Sequence, residues 1–227
     1  MKGSTQFADR PDLAPLIHQA ALDPHLSEQS LSEICDAARH FGFSGLCCHP
    51  NRIPWMRKRL GPPCSTSLIS VIAFPFGATP TELKQKEAEW AACQGADQLD
   101  VVVDLGALAD RKIDSYAEEL ASICALGIPV RAVIDMNQLS DEILPWVVDG
   151  AIDAGVNGIQ TGNGFGAAVT PLTVQRLRDL ARGRCGIKAA GGLNSLNLSL
   201  EVVEAGATLL GTSHGPALMQ ALRRGEI

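Results

Sequence analysis

The chain is built on a repeated unit in which a helix ends in glycine and an apolar strand begins two or three residues later. Glycine fits this position because the residue after the last helical turn commonly adopts a left-handed conformation. The unit recurs at intervals of roughly 23 to 32 residues, with two units between the first two glycines. This period predicts consecutive parallel β/α units. The helix-end glycines are Gly42, Gly95, Gly127, Gly155, Gly183 and Gly206.

The predicted strands are mostly continuous apolar runs, such as LDVVV at 99–103, as is typical of parallel strands with both faces covered. Eight such strands with interleaved helices predict an α/β fold, a single (β/α)8 TIM-barrel domain over residues 1–227. Residues 1–14 are expected to be an N-terminal extension or helix. The predicted strands span 16–20, 45–49, 68–75, 98–104, 130–135, 158–161, 186–189 and 208–212.

Charge and cysteine content narrow the functional classes. Lys and Arg total 19 against 25 for Asp and Glu, which argues against a nucleic-acid partner or an anionic membrane surface. The seven cysteines form no CxxC pair and no metal-ligand spacing, so we expect buried reduced thiols, no metal and no cofactor. No apolar run approaches a membrane span, and we expect a soluble, cytoplasmic protein.

Three glycine-containing turns, TGNGFG, AAGGLNS and GTSHG, follow the last three predicted strands. Barrels commonly bind phosphate at such turns through backbone N–H groups, hydroxyls and helix N-termini. The alternative is that the glycines only close tight turns. The candidate phosphate-binding residues are Thr161, Gly162, Gly164, Gly191, Gly192, Gly211, Thr212, Ser213 and His214.

Polar residues gather at the predicted carboxyl ends of the strands, where barrels place their sites. Lys188 is the only lysine inside a predicted strand, which makes it a catalytic candidate, although a structural ion pair with Asp100 explains it equally well. Asp100 and Asp104 share the parity of one strand and are expected to face the barrel interior or its mouth. Further pocket candidates are His18, His49, Arg131, Asp135 and Gln160.

Four stretches resemble the deoxyribose-phosphate aldolase family over nearly the whole chain: VIAFPFGATPTELK, GADQLDVVVDLGAL, IKAAGGLNS and EAGATLLGTSHG. The resemblance implies a class I aldolase barrel, an aldehyde-lyase that cleaves or forms 2-deoxyribose 5-phosphate through an imine on a strand-six lysine. It also implies that Lys188 matches the strand-seven lysine and Asp100 the proton-relaying aspartate. The matching phosphate-site residues are Gly191, Gly192, Thr212 and Ser213.

The chain departs from that family pattern at its site. Where the family has KTSTGF, this sequence has QTGNGF, so the resemblance puts Gln160 at the position of the imine-forming lysine. An amide nitrogen is not a nucleophile toward an aldehyde, because its lone pair is delocalised into the carbonyl group. Further departures fall at His18, His49, Asp104 and Asp135. We therefore expect that standard cleavage of 2-deoxyribose 5-phosphate is lost.

Three hypotheses follow. The first is a pseudoenzyme, a barrel that binds a small phosphorylated sugar or aldehyde without aldol cleavage. The second is an enzyme, either an aldolase with Lys188 as its imine lysine or an isomerase or lyase using His18, Asp100 and Asp104 as acid and base. The third is a structural partner of another protein. Apolar helix faces at 90–92 and 144–148 are candidates for a homodimer contact, and packing within the barrel explains them equally well.

Overall fold

The computed structural model describes residues 12–225. Most of the predicted N-terminal extension therefore lies outside the described residues. Eight parallel strands pair in sequence order, and the last pairs with the first, which closes the barrel and confirms the predicted fold class. The strands are β1 Ile17–Ala21, β2 Gly45–Cys48, β3 Ser67–Ile72, β4 Gln98–Val102, β5 Val130–Val133, β6 Gly158–Gln160, β7 Gly186–Ala190 and β8 Leu209–Thr212.

Helices follow the strands and form the outer layer. Short 3-10 turns, Ala14–Leu16 and Pro50–Arg52, precede β1 and α2. None of the helices between residues 12 and 225 is long and apolar enough to cross a membrane. The helices are α1 Glu28–Phe41, α2 Ile53–Leu60, α3 Thr81–Cys93, α4 Leu105–Ala109, α5 Ile113–Cys124, α6 Leu144–Asp153, α7 Pro171–Ala181, α8 Leu196–Glu204 and α9 Gly215–Arg224.

Local hydrogen bonds fix where the helices begin. Ser27 and Thr170 accept hydrogen bonds from the backbone N–H groups of Ser30 and Thr173, so each side chain satisfies a donor that the first turn leaves open. Helix α1 then ends at Gly42, whose φ of 78° is left-handed. Capping side chains thus fix the starts of α1 and α7, and a helix-end glycine identified in the sequence terminates α1.

The main hydrophobic core lies between the strands and the surrounding helices, and a small apolar group of Cys47, Ile69 and Val71 forms a separate cluster. Two of the three tryptophans are left largely uncovered in the helix layer, whereas Trp55 packs against the core. Trp90 is 44% exposed and Trp146 is 64% exposed. A helical position alone does not determine whether a neighbouring helix covers the side chain.

Candidate functional site

A buried charged cluster occupies the barrel interior, with Asp100 at its centre. Lys188 Nζ donates to Asp100 Oδ2 at 2.6 Å, and Arg131 Nη1 donates to Asp100 Oδ1 at 2.6 Å. The three residues come from β7, β4 and β5, and each is at most 7% exposed. Pairing of β4 with β5 places Asp100 directly beside Arg131. One carboxylate thus balances two cations, which leaves the cluster with a net positive charge.

Asp100 is held as a carboxylate. Burial by itself opposes its ionisation, but Lys188 and Arg131 outweigh that effect, and the pKa of Asp100 lies well below its usual range. The neighbouring thiol behaves in the opposite way. Cys47 Sγ lies 3.7 Å from Asp100 Oδ2, and burial is the main cause that raises the pKa of Cys47 to about 12. The thiol is therefore protonated and can donate to the carboxylate.

His18, on β1, is the neutral member of this interior group. Burial lowers its pKa well below the usual value, and the nearby Lys188 and Arg131 cations lower it further. The ring is 2% exposed. Its Nδ1 atom has no hydrogen-bond partner among the described residues. His18 is therefore an uncharged imidazole at neutral pH with an open hydrogen-bonding position.

Gln160 ends β6 and lies in register with Lys188 on β7. Its Nε2 donates to the backbone carbonyl of Gly162 at 2.7 Å, which fixes the orientation of the amide group. Its Oε1 is buried and, within residues 12–225, has no hydrogen-bond partner. The side chain that neighbours Lys188 across the sheet is therefore an amide with one unused acceptor.

All of these side chains except Arg131 line a cavity of about 350 Å³. Lys188 is the only lysine among its described lining residues, and no cluster of His, Cys, Asp and Glu in the described chain could hold a metal ion. The predicted residues that line the cavity are His18, Asp100, Gln160, Gly164, Lys188, Gly191, Gly192, Gly211, Thr212, Ser213 and His214.

Hydrogen bonds from the side chains of Thr212 and Gln19 hold the turn after β8 in place. Thr212 Oγ1 donates to the Leu193 carbonyl at 2.5 Å and accepts from the His214 N–H at 2.9 Å. Gln19 on β1 bridges the same turn, donating to the Ser213 carbonyl and accepting from the Gly215 N–H. Gly215 begins α9, so the turn is held at a helix N-terminus, where anions are favoured.

The glycine turn after β7 lies beside it. Gly191 and Gly192 have φ values of 105° and 70°, a conformation that L side chains rarely adopt. A Cβ on Gly192 would also lie 2.7 Å from the Ala168 side chain, so the turn packs closely against the segment between β6 and α7. Both glycines line the cavity. Gly164, in the turn after β6, also lines it, so all three predicted turns contribute to the cavity.

The sequence predicts that Asp104 faces the barrel interior or its mouth, but Asp104 does not line the cavity. Strand β4 ends at Val102, and Asp104 is exposed beyond it. Its Oδ1 accepts from the Ala107 N–H at 3.0 Å and caps α4. Strand parity no longer applies after the strand has ended, and the local capping bond determines where the carboxylate points.

The other candidates lie around the cavity without lining it. Arg131 reaches it only through Asp100, and Thr161 exchanges hydrogen bonds with the backbone of Ala190. Asp135 is buried and accepts from the Asn137 N–H. His49 contacts the Leu22 carbonyl at 3.1 Å and lines a neighbouring cavity. Gly162 contributes its carbonyl to Gln160.

Sequence reasoning missed several lining residues at the mouth. Phe165 is 66% exposed, and its ring lies 5.9 Å from Phe74 and 5.5 Å from Phe76. Asn163 Nδ2 donates to the Pro75 carbonyl, which joins the loop after β6 to the loop after β3. The position of Phe74 just after β3 was an available signal. The missed lining residues include Asp23, Cys47, Phe74, Asn163, Phe165 and Asn194.

Fold and site together define a (β/α)8 barrel whose cavity lies against a buried cluster of lysine, aspartate and arginine. No protein-family model matches the chain. A deoxyribose-phosphate aldolase from Crocosphaera subtropica is 34% identical over 211 residues, covering 92% of this chain and 95% of that protein. One from Thermococcus kodakarensis is 33% identical over 218 residues, covering 93% and 97%. The chain belongs to the deoxyribose-phosphate aldolase family.

Solved structures agree with this assignment. The structure of QR15, an aldolase, superposes with a TM-score of 0.88 at 31% identity, covering 94% of this chain and 97% of that one. A deoxyribose phosphate aldolase from Aeropyrum pernix, described as having a unique tetrameric structure, superposes with a TM-score of 0.85 at 30% identity. That comparison covers 93% of this chain and 91% of the Aeropyrum pernix chain.

Proposed function

We propose that the cavity binds a small phosphorylated sugar or aldehyde and does not cleave 2-deoxyribose 5-phosphate through an imine. The observation that carries the proposal is the state of Lys188. It is the only lysine among the described lining residues, and its Nζ lies 2.6 Å from the Asp100 carboxylate. Imine formation requires Nζ to approach a carbonyl carbon, and here Nζ is held against the buried Asp100 carboxylate instead.

The neighbouring strand supplies no replacement nucleophile. The family resemblance puts Gln160 where the imine-forming lysine belongs, and its amide nitrogen is unreactive toward aldehydes. The amide also donates to the Gly162 carbonyl, so it forms part of the wall of the cavity. Lys84, the other buried lysine in the described chain, pairs with Glu119 at 2.7 Å, connecting α3 and α5.

Ligand binding is supported by the turns after β7 and β8. They line the cavity together, and α9 begins at one of them. The N–H groups of His214 and Gly215 already donate to Thr212 and Gln19, so a phosphate group at this end gains from the dipole of α9. The net positive interior cluster adds a favourable field for an anion. These features suit a ligand with a phosphate at one end and polar groups at the other.

A second candidate is an aldolase that uses Lys188 itself. Two observations favour it: Lys188 lines the cavity, and Arg131 shares the carboxylate that holds it. Because Asp100 also binds Arg131, its hold on Lys188 is weaker than in a simple pair, and a bound aldehyde could draw Nζ away from it. This candidate predicts turnover that disappears in Lys188→Met.

Calorimetry and an acetaldehyde-release assay test the two candidates. We expect 2-deoxyribose 5-phosphate to bind at least tenfold more tightly than 2-deoxyribose, since a charge-assisted contact is lost with the phosphate. We expect no acetaldehyde release above that of Lys188→Met. Turnover that depends on Lys188 would establish the second candidate. Equal affinities with and without phosphate would refute phosphate recognition.

We also infer a reducing, cytoplasmic location. All seven cysteines lie within the described residues, and none forms a disulfide. Alkylation of all seven thiols in freshly lysed cells, measured by intact mass, is the expected result. A disulfide-bonded fraction in that sample would contradict the inference.

A further inference from the structure

Two sides of the cavity differ in chemistry. The glycine turns after β7 and β8 form one side. On the β3 side, Val71 and Phe74 line the cavity, and Phe74 packs against the small apolar cluster of Cys47, Ile69 and Val71. Because the eight strands pair in sequence order around a closed barrel, β3 stands opposite β7. An apolar wall therefore faces the glycine turns across the cavity.

The apolar wall continues into an exposed ring at the mouth of the cavity. The Phe165 ring lies 5.9 Å from the ring of Phe74 and 5.5 Å from that of Phe76. Phe165 lies in the turn after β6, and two strands separate β6 from β3, so this turn reaches across part of the mouth. Asn163 Nδ2 donates to the Pro75 carbonyl at 2.6 Å and holds the turn there. Phe165 is thus held in place, yet it is 66% exposed.

An exposed ring that lines a cavity favours a nonpolar group on the ligand. Covering apolar surface is favourable roughly in proportion to the area removed from water. A hydroxyl group placed against the same wall would lose its hydrogen bonds to water without gaining a partner. Phe76 is also exposed, but it does not line this cavity. Phe165 is therefore the exposed ring that a ligand in the cavity can cover.

We propose that the phosphorylated ligand of this cavity carries a nonpolar group, such as an aromatic ring, that packs against Phe165 and Phe74. The inference rests on the proposed binding of a phosphorylated ligand and adds the chemical class of another part of that ligand. The phosphate lies at the turns after β7 and β8, polar groups face the interior cluster, and the nonpolar group lies at the mouth. Packing between aromatic rings adds to the gain from burial.

Calorimetry on the full chain tests the inference with two phosphate esters that differ by one ring. Benzyl phosphate and methyl phosphate carry the same charged group. We expect benzyl phosphate to bind at least about tenfold more tightly. Phe165→Ser should reduce this preference to less than about threefold, and Phe165→Leu should keep part of it, since leucine retains apolar surface. Leu172→Ser is the matched control, because Leu172 is 64% exposed but lies outside the cavity, and it should retain the preference.

The outcomes separate this inference from the proposal beneath it. If 2-deoxyribose 5-phosphate binds but benzyl phosphate binds no more tightly than methyl phosphate, the inference is overturned and the proposed function stands. A preference that persists in Phe165→Ser overturns the role of Phe165. Failure of all three phosphates to bind refutes both proposals together.

Light scattering distinguishes a ligand from a second copy of the chain as the group that covers Phe165. We expect the same molar mass for the wild type and Phe165→Ser. A smaller mass for Phe165→Ser would assign the ring to a contact between two copies and overturn the inference.

Discussion

At the scale of single residues, Asp100 determines the electrostatics of the site. One of its oxygens binds Lys188 and the other binds Arg131, so Asp100 takes part in two ion pairs at once. Removal of one cation leaves the carboxylate paired with the other. Removal of the carboxylate leaves two buried cations facing each other without compensation. The account therefore predicts different costs for the two kinds of substitution.

Asp100→Asn is expected to lower the free energy of unfolding by about 3–5 kcal/mol, the usual cost of leaving a buried charge unpaired. Lys188→Met should cost less, about 1–3 kcal/mol, because Arg131 still balances Asp100. Lys112→Met is the control, since its pair with Asp110 is exposed and should leave stability unchanged. Urea unfolding measures all three variants. A larger loss for Lys188→Met than for Asp100→Asn would contradict the account.

His18 predicts a pH dependence of stability. Its pKa is lowered in the folded protein, whereas in the unfolded chain it titrates near about 6.5. The unfolded chain then binds more protons below that pH, so the free energy of unfolding falls as the pH falls below 6.5. Between pH 7 and 5.5 this contributes about 1 kcal/mol.

His18→Asn should remove the contribution of His18 to the pH dependence of the free energy of unfolding. Urea unfolding of the wild type and the variant at pH 7 and 5.5 measures it, and the other histidines contribute equally to both proteins. The same loss of stability in wild type and His18→Asn would show that His18 is not held neutral.

At the scale of elements, the turn after β3 is tied to the end of β4. Gly77 has a φ of 67°, and a Cβ there would lie 1.9 Å from the Val103 carbonyl oxygen. Gly42, at the end of α1, has a similar φ of 78° but no atom within 4 Å of a Cβ. Both residues adopt a left-handed conformation, but only at Gly77 would a Cβ atom also clash with a neighbouring backbone.

Gly77→Ala is expected to cost more than about 3 kcal/mol, because the backbone of two elements must shift. Gly42→Ala should cost only about 1 kcal/mol, the penalty for a left-handed alanine. Urea unfolding of the two variants separates the steric cost from the conformational cost. Similar losses in the free energy of unfolding for the two variants would show that the turn after β3 shifts at little cost to make room for the methyl group.

The strands were largely predictable, because helix-end glycines and apolar runs are local signals. Only β1 begins and ends one residue later than predicted at both ends, and most other strands end slightly earlier. Features that depend on three-dimensional contacts were not predictable. Asp104 turned to cap α4, Trp146 was left uncovered, and the Gln160 amide was oriented by a carbonyl two residues away. These contacts cannot be predicted from the alternation of residues along a strand or from a family motif.

At the scale of the whole molecule, scaffold and chemistry are separable. The main core lies between the strands and the helices, whereas the charged cluster lies inside the barrel. Changes at β1, β4 or β6 that face the interior can alter the reaction while the outer core keeps the fold. This separation is consistent with the proposal that a chain 34% identical to a deoxyribose-phosphate aldolase keeps the barrel of the family without its imine chemistry.

Borohydride trapping with 2-deoxyribose 5-phosphate, read by intact and peptide mass, tests the central claim most directly. The account predicts no adduct in the wild type and a thermal shift from the same compound. Gln160→Lys is the positive control, because an amine beside Lys188 should be pushed toward its neutral, nucleophilic form and be trapped. A wild-type adduct that maps to Lys188 would contradict the account and identify Lys188 as the imine-forming residue.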